Sequence, residues 1–376
     1  MSNVPTALSD VREALAKKDQ ELVTLIAERM RLIREVARVK ADKGLPSFDR
    51  EREGAHLDDL LARAKDVGVP DDVVRDVFSC LFAASRLEQR RFLNARTERF
   101  SIGVIGGTQG MGAFLARVFF AGGFAVETMG LGEGPTAEEV ASRNDVVIVA
   151  VPIAATVEVI QKIAPHVKPG ATLIDVTSIK RAPLEAMLAH APEGVNVVGT
   201  HPMFGPHGLD FDRQKVVLCR GRGDEAFVRV KKLFETFGAE TIEAIAEEHD
   251  AQMALIQVLV HEKTMVLGSV LERLKADLGR SLQFASPIYR TELAMIGRMF
   301  SQRAELYADI LTANAAAPNL SHVFEQEAAF FARAVAMGDR ETVIKRFQHV
   351  AEFMKDFAAW AKKQSDAILD DLVRHG

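Results

Sequence analysis

The spacing of apolar residues predicts an N-terminal region made of helices. Residues 8–42 carry apolar positions at helical intervals without glycine or proline, and "DKGLP" (Asp42 to Pro46) then supplies stop signals. Shorter helical patterns cover 50–66 and 71–94, the second opened by Pro70 and two aspartates. At 1.5 Å per residue the first helix would be about 50 Å long, more than a small helical domain covers by itself. We therefore expect a second chain to cover it.

The hydrophobic pattern changes after a charged segment, "NARTERF" (Asn94 to Phe100), which we interpret as a linker. Short β-branched runs then alternate with helical patterns, the runs being "SIGVI", "FAVETM", "DVVIVAV", "ATLIDV", "NVVGT" and "KVVLC". Such alternation predicts an α/β, doubly wound parallel sheet. Helical spacing returns from Ala246 without strand signals, and Ser286 with Pro287 indicates one helix start there. The predicted division is 1–94 all-helical, 95–100 linker, 101–244 α/β and 245–376 all-helical.

Composition narrows the classes of function. The net charge is −5 with acids and bases interspersed, so no basic surface for nucleic acid is expected. The N-terminus lacks an apolar signal core, and the apolar run Val146 to Val157 is short and contains a proline, so we expect a cytoplasmic protein without a membrane span. Cys80 and Cys219 stand apart from any metal-ligand spacing, so neither a disulfide nor a metal site is expected.

Two predicted helices carry polar residues within an apolar stripe. Along the first, the stripe runs Leu22, Ile26, Arg29, Ile33, Val36 and Lys40; along the third it runs Val74, Phe78, Leu81, Ser85, Gln89 and Phe92. Buried polar groups need partners. The stripe cations could extend to solvent beside an interhelical hydrogen bond, or they could bind an anionic small molecule.

The positions that carry this charge pattern resemble the all-helical chorismate mutase family. They are Arg12, Arg29, Lys40, Asp49, Arg52, Glu53, Ser85 and Gln89. The resemblance implies a homodimer that shares its long helices, with Arg12 reaching the partner's site. It further implies that Arg12, Arg29 and Arg52 clamp the carboxylates of chorismate, that Lys40 and Gln89 donate to its ether oxygen, and that Glu53 holds its hydroxyl or orients neighbours.

A glycine-rich turn follows the first predicted strand in "SIGVIGGTQGMGAFLARV". Strand, turn and helix together are typical of a dinucleotide-binding Rossmann domain, although Gln109 takes the place of the central glycine, and a turn that merely packs strand on helix is the alternative. "GGTQGMG" resembles the loop of archaeal prephenate dehydrogenases. The resemblance implies a binding site for a nicotinamide dinucleotide at Gly106, Gly107, Thr108, Gln109, Gly110, Met111 and Gly112. We expect NAD. NADP stays open because Glu127 should point elsewhere and Glu133 is merely a candidate for the ribose-binding acid.

A histidine, His201, follows the strand "VNVVG" in the stretch "GTHPMFGPHG". Together with "DVTSIKRAPL", "EEHDAQMALIQVLVH" and "ASPIYRTELAMIGRMF", this stretch resembles prephenate dehydrogenases, and the whole chain resembles the bifunctional T-proteins of tyrosine synthesis. The resemblance implies that His201 is the base, that Ser178 contacts the same hydroxyl, and that Lys180 and His261 line the site. Arg298 would bind a substrate carboxylate, with Arg290 as a weaker neighbour. We expect a helix-start role for His249 and a solvated loop position for His207.

Three rival hypotheses remain at this point. The scaffold could act on 4-amino-4-deoxychorismate and its prephenate analogue, since a histidine and a serine can serve an amine as well as a hydroxyl. The altered glycine loop could instead mark a ligand-binding regulator, or a mutase fused to a silent dehydrogenase-like domain.

Overall fold

The computed structural model describes residues 8–43, 45, 49–97, 100–130, 132, 134–208 and 210–375. Three helices come first: α1 (Leu8–Asp42), α2 (Arg50–Val67) and α3 (Asp71–Thr97). The prediction for α1 is confirmed at both ends. Helix α3 runs three residues past its predicted end, into the segment interpreted as a linker, because that segment has no glycine or proline to stop it.

Helix α1 leaves most of its apolar surface uncovered. Within Leu8–Asp42 the one buried residue is Ala37, whereas Leu22, Leu25 and Leu32 are all more than half exposed. Helix α1 packs on α3, with Arg29, Ile33 and Lys40 half-buried on that side. An apolar surface of this length is a feature of a helix that a partner covers.

The α/β region contains seven strands and five helices. The strands are β1 (Ser101–Ile105), β2 (Ala125–Met129), β3 (Val146–Val149), β4 (Thr172–Asp175), β5 (Asn196–Pro202), β6 (Lys215–Arg222) and β7 (Glu240–Ala244). The helices are α4 (Gly110–Ala121), α5 (Ala137–Arg143), α6 (Ile153–Ile163), α7 (Arg181–His190) and α8 (Asp224–Thr236), with a 3₁₀ turn at Ala164–His166. Side chains alternate between two cores: Val146 and Ile148 join one, Val147 and Val149 the other.

The strand order is β2-β1-β3-β4-β5-β6-β7, and β1 to β5 run parallel. The predicted α/β doubly wound fold is confirmed, with two differences. Strand β6 runs antiparallel to β5, because the described part of the segment joining them contains no crossover helix. Strand β7 was missed because "ETIEA" is an edge strand with exposed charges. From β1 the chain adds β2 on one side, and it then adds β3 to β5 on the other side. The carboxyl ends of β1 and β3 therefore form the topological switch point, where open α/β sheets bind ligands.

The protein divides into two compact units, one ending at Ala246 and one beginning at Glu247. The second unit is helical: α9 (Ala246–Met253), a π-helical segment (Ala254–Leu259), α10 (Val260–Arg273), α11 (Leu278–Gln283), α12 (Pro287–Phe300), α13 (Ala304–Ala313), α14 (Ala317–Ala336) and α15 (Arg340–His375). The predicted start of α12 is confirmed, since the Ser286 hydroxyl accepts the Tyr289 N–H at 3.3 Å.

Among the described residues, one continuous helix, Ala246–Arg273, is long and apolar enough to cross a bilayer by length and composition. Charged residues such as Glu262 and Lys263 interrupt its apolar run in the sequence. Core helices of soluble proteins have the same properties, so this helix alone does not indicate a membrane protein.

Candidate active sites

Arg29 anchors the charged face between α1 and α3. Its Nη1 donates to the Ser85 hydroxyl at 2.5 Å and to the Leu81 carbonyl at 3.3 Å, and its guanidinium lies 5.7 Å from the centre of the Phe82 ring. Burial lowers the pKa of Arg29, and the charge of Glu53 opposes that shift. The predicted interhelical partner for Arg29 is therefore present, and the cation keeps a carboxylate nearby.

Lys40 and Glu53 stand together at the same face. Burial lowers the pKa of the Lys40 ammonium, while the charges of Asp49 and Glu53 raise it and that of Arg52 lowers it. Burial raises the pKa of the Glu53 carboxyl, and Arg86 lowers it through both charge and a hydrogen bond. The α1 cation and the α2 acid predicted from the sequence thus share one electrostatic environment.

Ser85 and Gln89 are both buried on α3. The Ser85 hydroxyl donates to the Leu81 carbonyl at 2.5 Å. The Gln89 side-chain oxygen is buried and, among the residues that the structure describes, has no hydrogen-bond partner. An orphaned polar atom beside half-buried cations is typical of a site that a polar ligand completes.

The remaining predicted mutase residues are at the surface of this chain. Asp49 caps α2 by accepting the Arg52 N–H at 3.1 Å, and the Arg52 side chain is exposed. Arg12 is exposed near the start of α1. The capping role of Asp49 was not predicted, and Arg12 is left available to another chain.

The glycine turn after β1 divides its predicted residues between two tasks. The N–H groups of Gly106 and Gly107 both donate to the Met129 carbonyl at 2.9 Å, so they hold the turn and do not face a phosphate. A Cβ at Gly112 would lie 2.2 Å from the Gly106 oxygen, so glycine there lets α4 pack directly on the turn. The free N–H groups at the start of α4, those of Gly110, Met111 and Gly112, are the ones that can bind phosphate.

Gln109 does not obstruct this site. It is the N-cap of α4 with an extended backbone (φ −142°), which any residue adopts, and its side chain is exposed. Thr108 is also exposed and lies against Gly130, where a Cβ would approach it to 2.3 Å. The turn therefore fits a dinucleotide despite its departure from the usual glycine pattern.

Among the described residues directly after β2, no acid is present to bind a ribose hydroxyl. Glu127 points elsewhere, as predicted: its carboxylate accepts from Asn144 at 2.8 Å and from Arg143 at 3.2 Å. Glu133 lies outside the described residues. A cleft beyond β2 is lined by Gly130, Thr136, Lys162 and His166, with Lys162 paired to Glu138 at 3.0 Å.

His201 lies near the carboxyl end of β5, buried to 3% exposure and opposite Val217 of β6. Ser178 is half-buried in the segment after β4. Because β4 and β5 are parallel neighbours, with Asp175 opposite Gly199, both side chains belong to the same edge of the sheet. That edge also carries the glycine turn and is where open α/β sheets bind ligands.

Lys180 was predicted to line the site, but the structure gives it another role. It is fully buried in an ion pair with Asp175, and its Nζ also donates to the Thr200 carbonyl at 2.7 Å. Charge pairing explains the burial, since an unpaired ammonium would be too costly there. Lys180 therefore supports the residue before His201 from beneath the sheet edge and does not present its charge to a ligand.

The second unit holds four of the predicted residues. His261 is half-buried on α10 with its ring 5.1 Å from that of Tyr307, and burial lowers its pKa. Arg290 and Arg298 are exposed on α12. His249 lies in the first turn of α9, where its ring is 1% exposed and its Nδ1 lies 2.8 Å from the Asp250 carboxylate.

The π-helical segment changes the relation between the two histidines of this helix. A straight α-helix would place His249 and His261 about 120° apart around the axis. A π turn takes one residue more than an α turn, so it turns the following residues back by about 100°. The segment Ala254–Leu259 thus brings the two positions onto nearly the same side of the helix. This π-helical segment was not predicted from the sequence. His207, by contrast, is exposed in its loop, as predicted.

A cluster of buried charges on α3 was not predicted from the sequence. Arg86 and Arg90 follow each other by one helical turn on α3, and both are buried beside Asp210. The four-residue spacing was a visible signal, but the partner aspartate lies more than 100 residues away.

Comparisons with known proteins agree with this arrangement. Family models match residues 11–90 (chorismate mutase type II), 125–243 (prephenate dehydrogenase, nucleotide-binding domain) and 245–349 (prephenate dehydrogenase, dimerization domain). The T-protein of Haemophilus influenzae is 34% identical over 369 residues, which is 96% of each chain. The chain belongs to the T-protein family.

Two further relatives cover part of the chain. The 4-amino-4-deoxyprephenate dehydrogenase of Streptomyces pristinaespiralis is 31% identical over 228 residues, 60% of this chain and 76% of that one. The crystal structure of prephenate dehydrogenase from A. aeolicus, in complex with hydroxyphenyl propionate and NAD+, superposes with a TM-score of 0.55 at 17% identity, covering 70% of this chain and 99% of that one. The second likeness shows the fold of the dehydrogenase part.

Proposed function

We propose that this T-protein family member rearranges chorismate to prephenate at the α1–α3 face and oxidatively decarboxylates prephenate to 4-hydroxyphenylpyruvate at the sheet edge that carries His201. It is a chorismate mutase and an NAD-dependent prephenate dehydrogenase of tyrosine biosynthesis. The observation that carries the proposal is that one chain combines half-buried Arg29 and Lys40 with a buried histidine on the sheet edge that also carries the glycine turn and the start of α4.

The mutase step needs placement of charge and no proton carrier. The rearrangement is pericyclic, so its catalyst must hold a compact conformer and stabilise the negative charge that develops on the ether oxygen. Arg29, with Arg52 and a partner's Arg12, would bind the two carboxylates. Lys40 and the Gln89 side-chain N–H would donate to the ether oxygen, and Glu53 would accept from the substrate hydroxyl.

The dehydrogenase step requires a base for a hydroxyl proton. NAD, when bound at the glycine turn, supplies the acceptor for the hydride that leaves the hydroxyl-bearing carbon. His201 would take the hydroxyl proton, and Ser178 would hold the same hydroxyl in position. Loss of the ring carboxylate as CO2 then aromatises the ring. Arg298, with Arg290 on the same helix, would bind a substrate carboxylate, and His261 would line the site. The N–H groups of Gly110, Met111 and Gly112 would hold the pyrophosphate.

The working assembly that we propose is a cytoplasmic homodimer. Its support is the uncovered apolar surface of α1, together with the match of residues 245–349 to a family model described as a dimerization domain. The division into a mutase part (1–94), a linker (95–100), a nucleotide-binding part (101–244) and a helical part (245–376) belongs to the same proposal.

An amino substrate is the second candidate. The similarity to 4-amino-4-deoxyprephenate dehydrogenase favours it for the sheet edge, because His201 and Ser178 could serve an amine as well as a hydroxyl. Absorbance of reduced nicotinamide with purified protein, NAD or NADP, and either prephenate or its amino analogue separates the two. Turnover of prephenate with NAD is expected, whereas a strong preference for the amino compound would replace the substrate assignment.

A further inference from the structure

Five charged side chains connect the α2–α3 helices to the loop that follows His201. They form what we call the bridge cluster: Glu53, Arg86, Arg90, Asp210 and Asp212. All five belong to the first compact unit.

Arg86 occupies the centre of the bridge cluster. Its Nη1 lies 2.6 Å from the Glu53 carboxylate, its Nε 2.8 Å from that of Asp210 and its Nη2 3.5 Å from that of Asp212. Its side chain is 5% exposed. Burial lowers the pKa of Arg86, but the hydrogen bond and charge of Asp210 together with the charges of Glu53 and Asp212 outweigh burial and raise it. One guanidinium therefore holds a carboxylate from α2 and two from the loop between β5 and β6.

Arg90 adds a second cation behind the first. It is fully buried, its guanidinium lies 5.0 Å from the centre of the Phe237 ring, and its Nη1 is 3.6 Å from the Asp210 carboxylate. Burial lowers its pKa to about 10, against the opposing charge of Asp210. Three carboxylates thus share two guanidinium groups, so the ionisation of each carboxylate depends on the others.

The loop between β5 and β6 is fixed on the side of the bridge cluster. Phe211 is fully buried in the core, Phe204 packs against that core, and Arg117 donates to the Gly208 carbonyl at 3.0 Å. Asp210 lies between these anchors. Its ion pair with Arg86 therefore joins a well-packed loop to a helix that carries two predicted mutase residues, Ser85 and Gln89.

Stability by itself gives a weak reason for such a cluster, because buried ion pairs are often no more stabilising than apolar packing of the same volume. What a forked guanidinium does supply is direction, since it fixes the plane and position of the carboxylates that it binds. Glu53 is a member of the bridge cluster whose charge also acts on the mutase cations Arg29 and Lys40 of α1. A carboxylate has about four acceptor sites, so Glu53 can bind Arg86 and still accept from a substrate hydroxyl.

Resting on the proposed role of Glu53 in the mutase, we propose that Arg86 is a positioning residue for that reaction, and that Asp210 and Asp212 act through Arg86 on the charge and orientation of Glu53. A change in the loop after His201 should then alter the charge and orientation of Glu53 at the mutase site. The direction follows from the charges. The charges of Asp210 and Asp212 raise the pKa of Glu53 and that of Arg86 lowers it, both against a background in which burial raises it.

Opposite shifts are therefore expected from two single substitutions. Asp210→Asn removes a negative charge and should move the acid limb of the mutase kcat/KM profile to lower pH. Arg86→Gln removes the positive charge and should move that limb to higher pH, while misplacement of Glu53 lowers kcat/KM at neutral pH by roughly 10- to 100-fold. A merely structural contact would lower activity in both variants without moving the limb in opposite directions.

The experiment uses the full chain in its native oligomer and reads Glu53 in two ways. Mutase rates with chorismate are measured from pH 4 to 9, and carboxyl-carbon NMR of glutamate-labelled protein follows the Glu53 resonance, assigned by its loss in Glu53→Gln. Arg86→Lys keeps the charge but not the fork, so it should keep the wild-type acid limb with a reduced rate. Arg34→Gln, which breaks an exposed 3.2 Å pair with Glu88 between α1 and α3, is the matched control and should change neither readout.

The outcomes separate this inference from the proposed function. Shifts of opposite sign in both readouts support the inference. An unchanged Glu53 titration in both Asp210→Asn and Arg86→Gln overturns it even if the mutase is active. A shifted titration without a shifted acid limb overturns the positioning role. An inactive wild-type mutase removes the proposed function, and that failure is recognised before any variant is compared.

Discussion

Lys180 and Asp175 form a fully buried ion pair under the strand that carries His201, and the Lys180 ammonium also donates to the carbonyl of Thr200, the residue before that histidine. The Asp175 Oδ2 accepts the Thr177 N–H at 3.0 Å as well. The pair thus connects the segment after β4, where Ser178 lies, to β5.

Lys180→Met should destabilise the protein by about 3–5 kcal/mol, because it leaves Asp175 charged and buried without its cation. The free energy of unfolding by urea checks this value. The double variant Lys180→Met/Asp175→Leu should recover much of the loss. Arg181→Gln, which breaks an exposed pair with the neighbouring Glu185, is the control and should change little. If the single variant unfolds like wild type, the pair has no structural role.

His201→Asn should lower prephenate oxidation by about 10²- to 10⁴-fold, as expected for loss of a general base, and leave mutase kcat/KM unchanged. Lys40→Ala should do the reverse, with a loss of about 10²- to 10³-fold in the mutase alone, as expected for loss of a donor to a developing oxyanion. Both activities are measured on the same preparations. Loss of both in either variant would contradict separate sites.

The loss of mutase activity at alkaline pH should follow the deprotonation of Lys40. Burial lowers the pKa of this ammonium from its usual value of 10.5, and the proposed role requires the protonated form. On the alkaline side of its optimum, mutase activity should therefore hold steady below that lowered pKa and fall as the pH rises through it. Lys40→Arg should move the fall to higher pH, since guanidinium stays protonated. An alkaline limb that is identical in Lys40→Arg belongs to another group.

Gly112→Ala should raise the KM for NAD by about tenfold or more and spare the mutase. The added Cβ would meet the Gly106 oxygen at 2.2 Å, so α4 must move away from the turn, which costs more than the about 1.4 kcal/mol of one tenfold step. Gly110→Ala is the comparison variant: no atom lies within 4 Å of its Cβ, and its φ of +52° alone adds modest strain. Equal effects of the two would argue against close packing as the cause.

The sequence by itself determined the local architecture. The bounds of α1, the strands β1 to β6, the cap of α12 and the glycine turn all follow from periodicity and from residues whose backbone preferences act over a few positions. The cation stripe on α1 and the polar residues of α3 were visible for the same reason, since helical spacing places them on one face.

Tertiary structure decided what depends on pairing between distant residues. The antiparallel run of β6, the burial of Lys180 and the meeting of Arg86 with Asp210, which are 124 residues apart, have no local signal. A buried charge takes its role from the partner that the fold brings to it, because burial without that partner would be too costly. Local sequence patterns therefore predicted neither the contact of Lys180 with β5 nor the ion pair between α3 and the loop after His201.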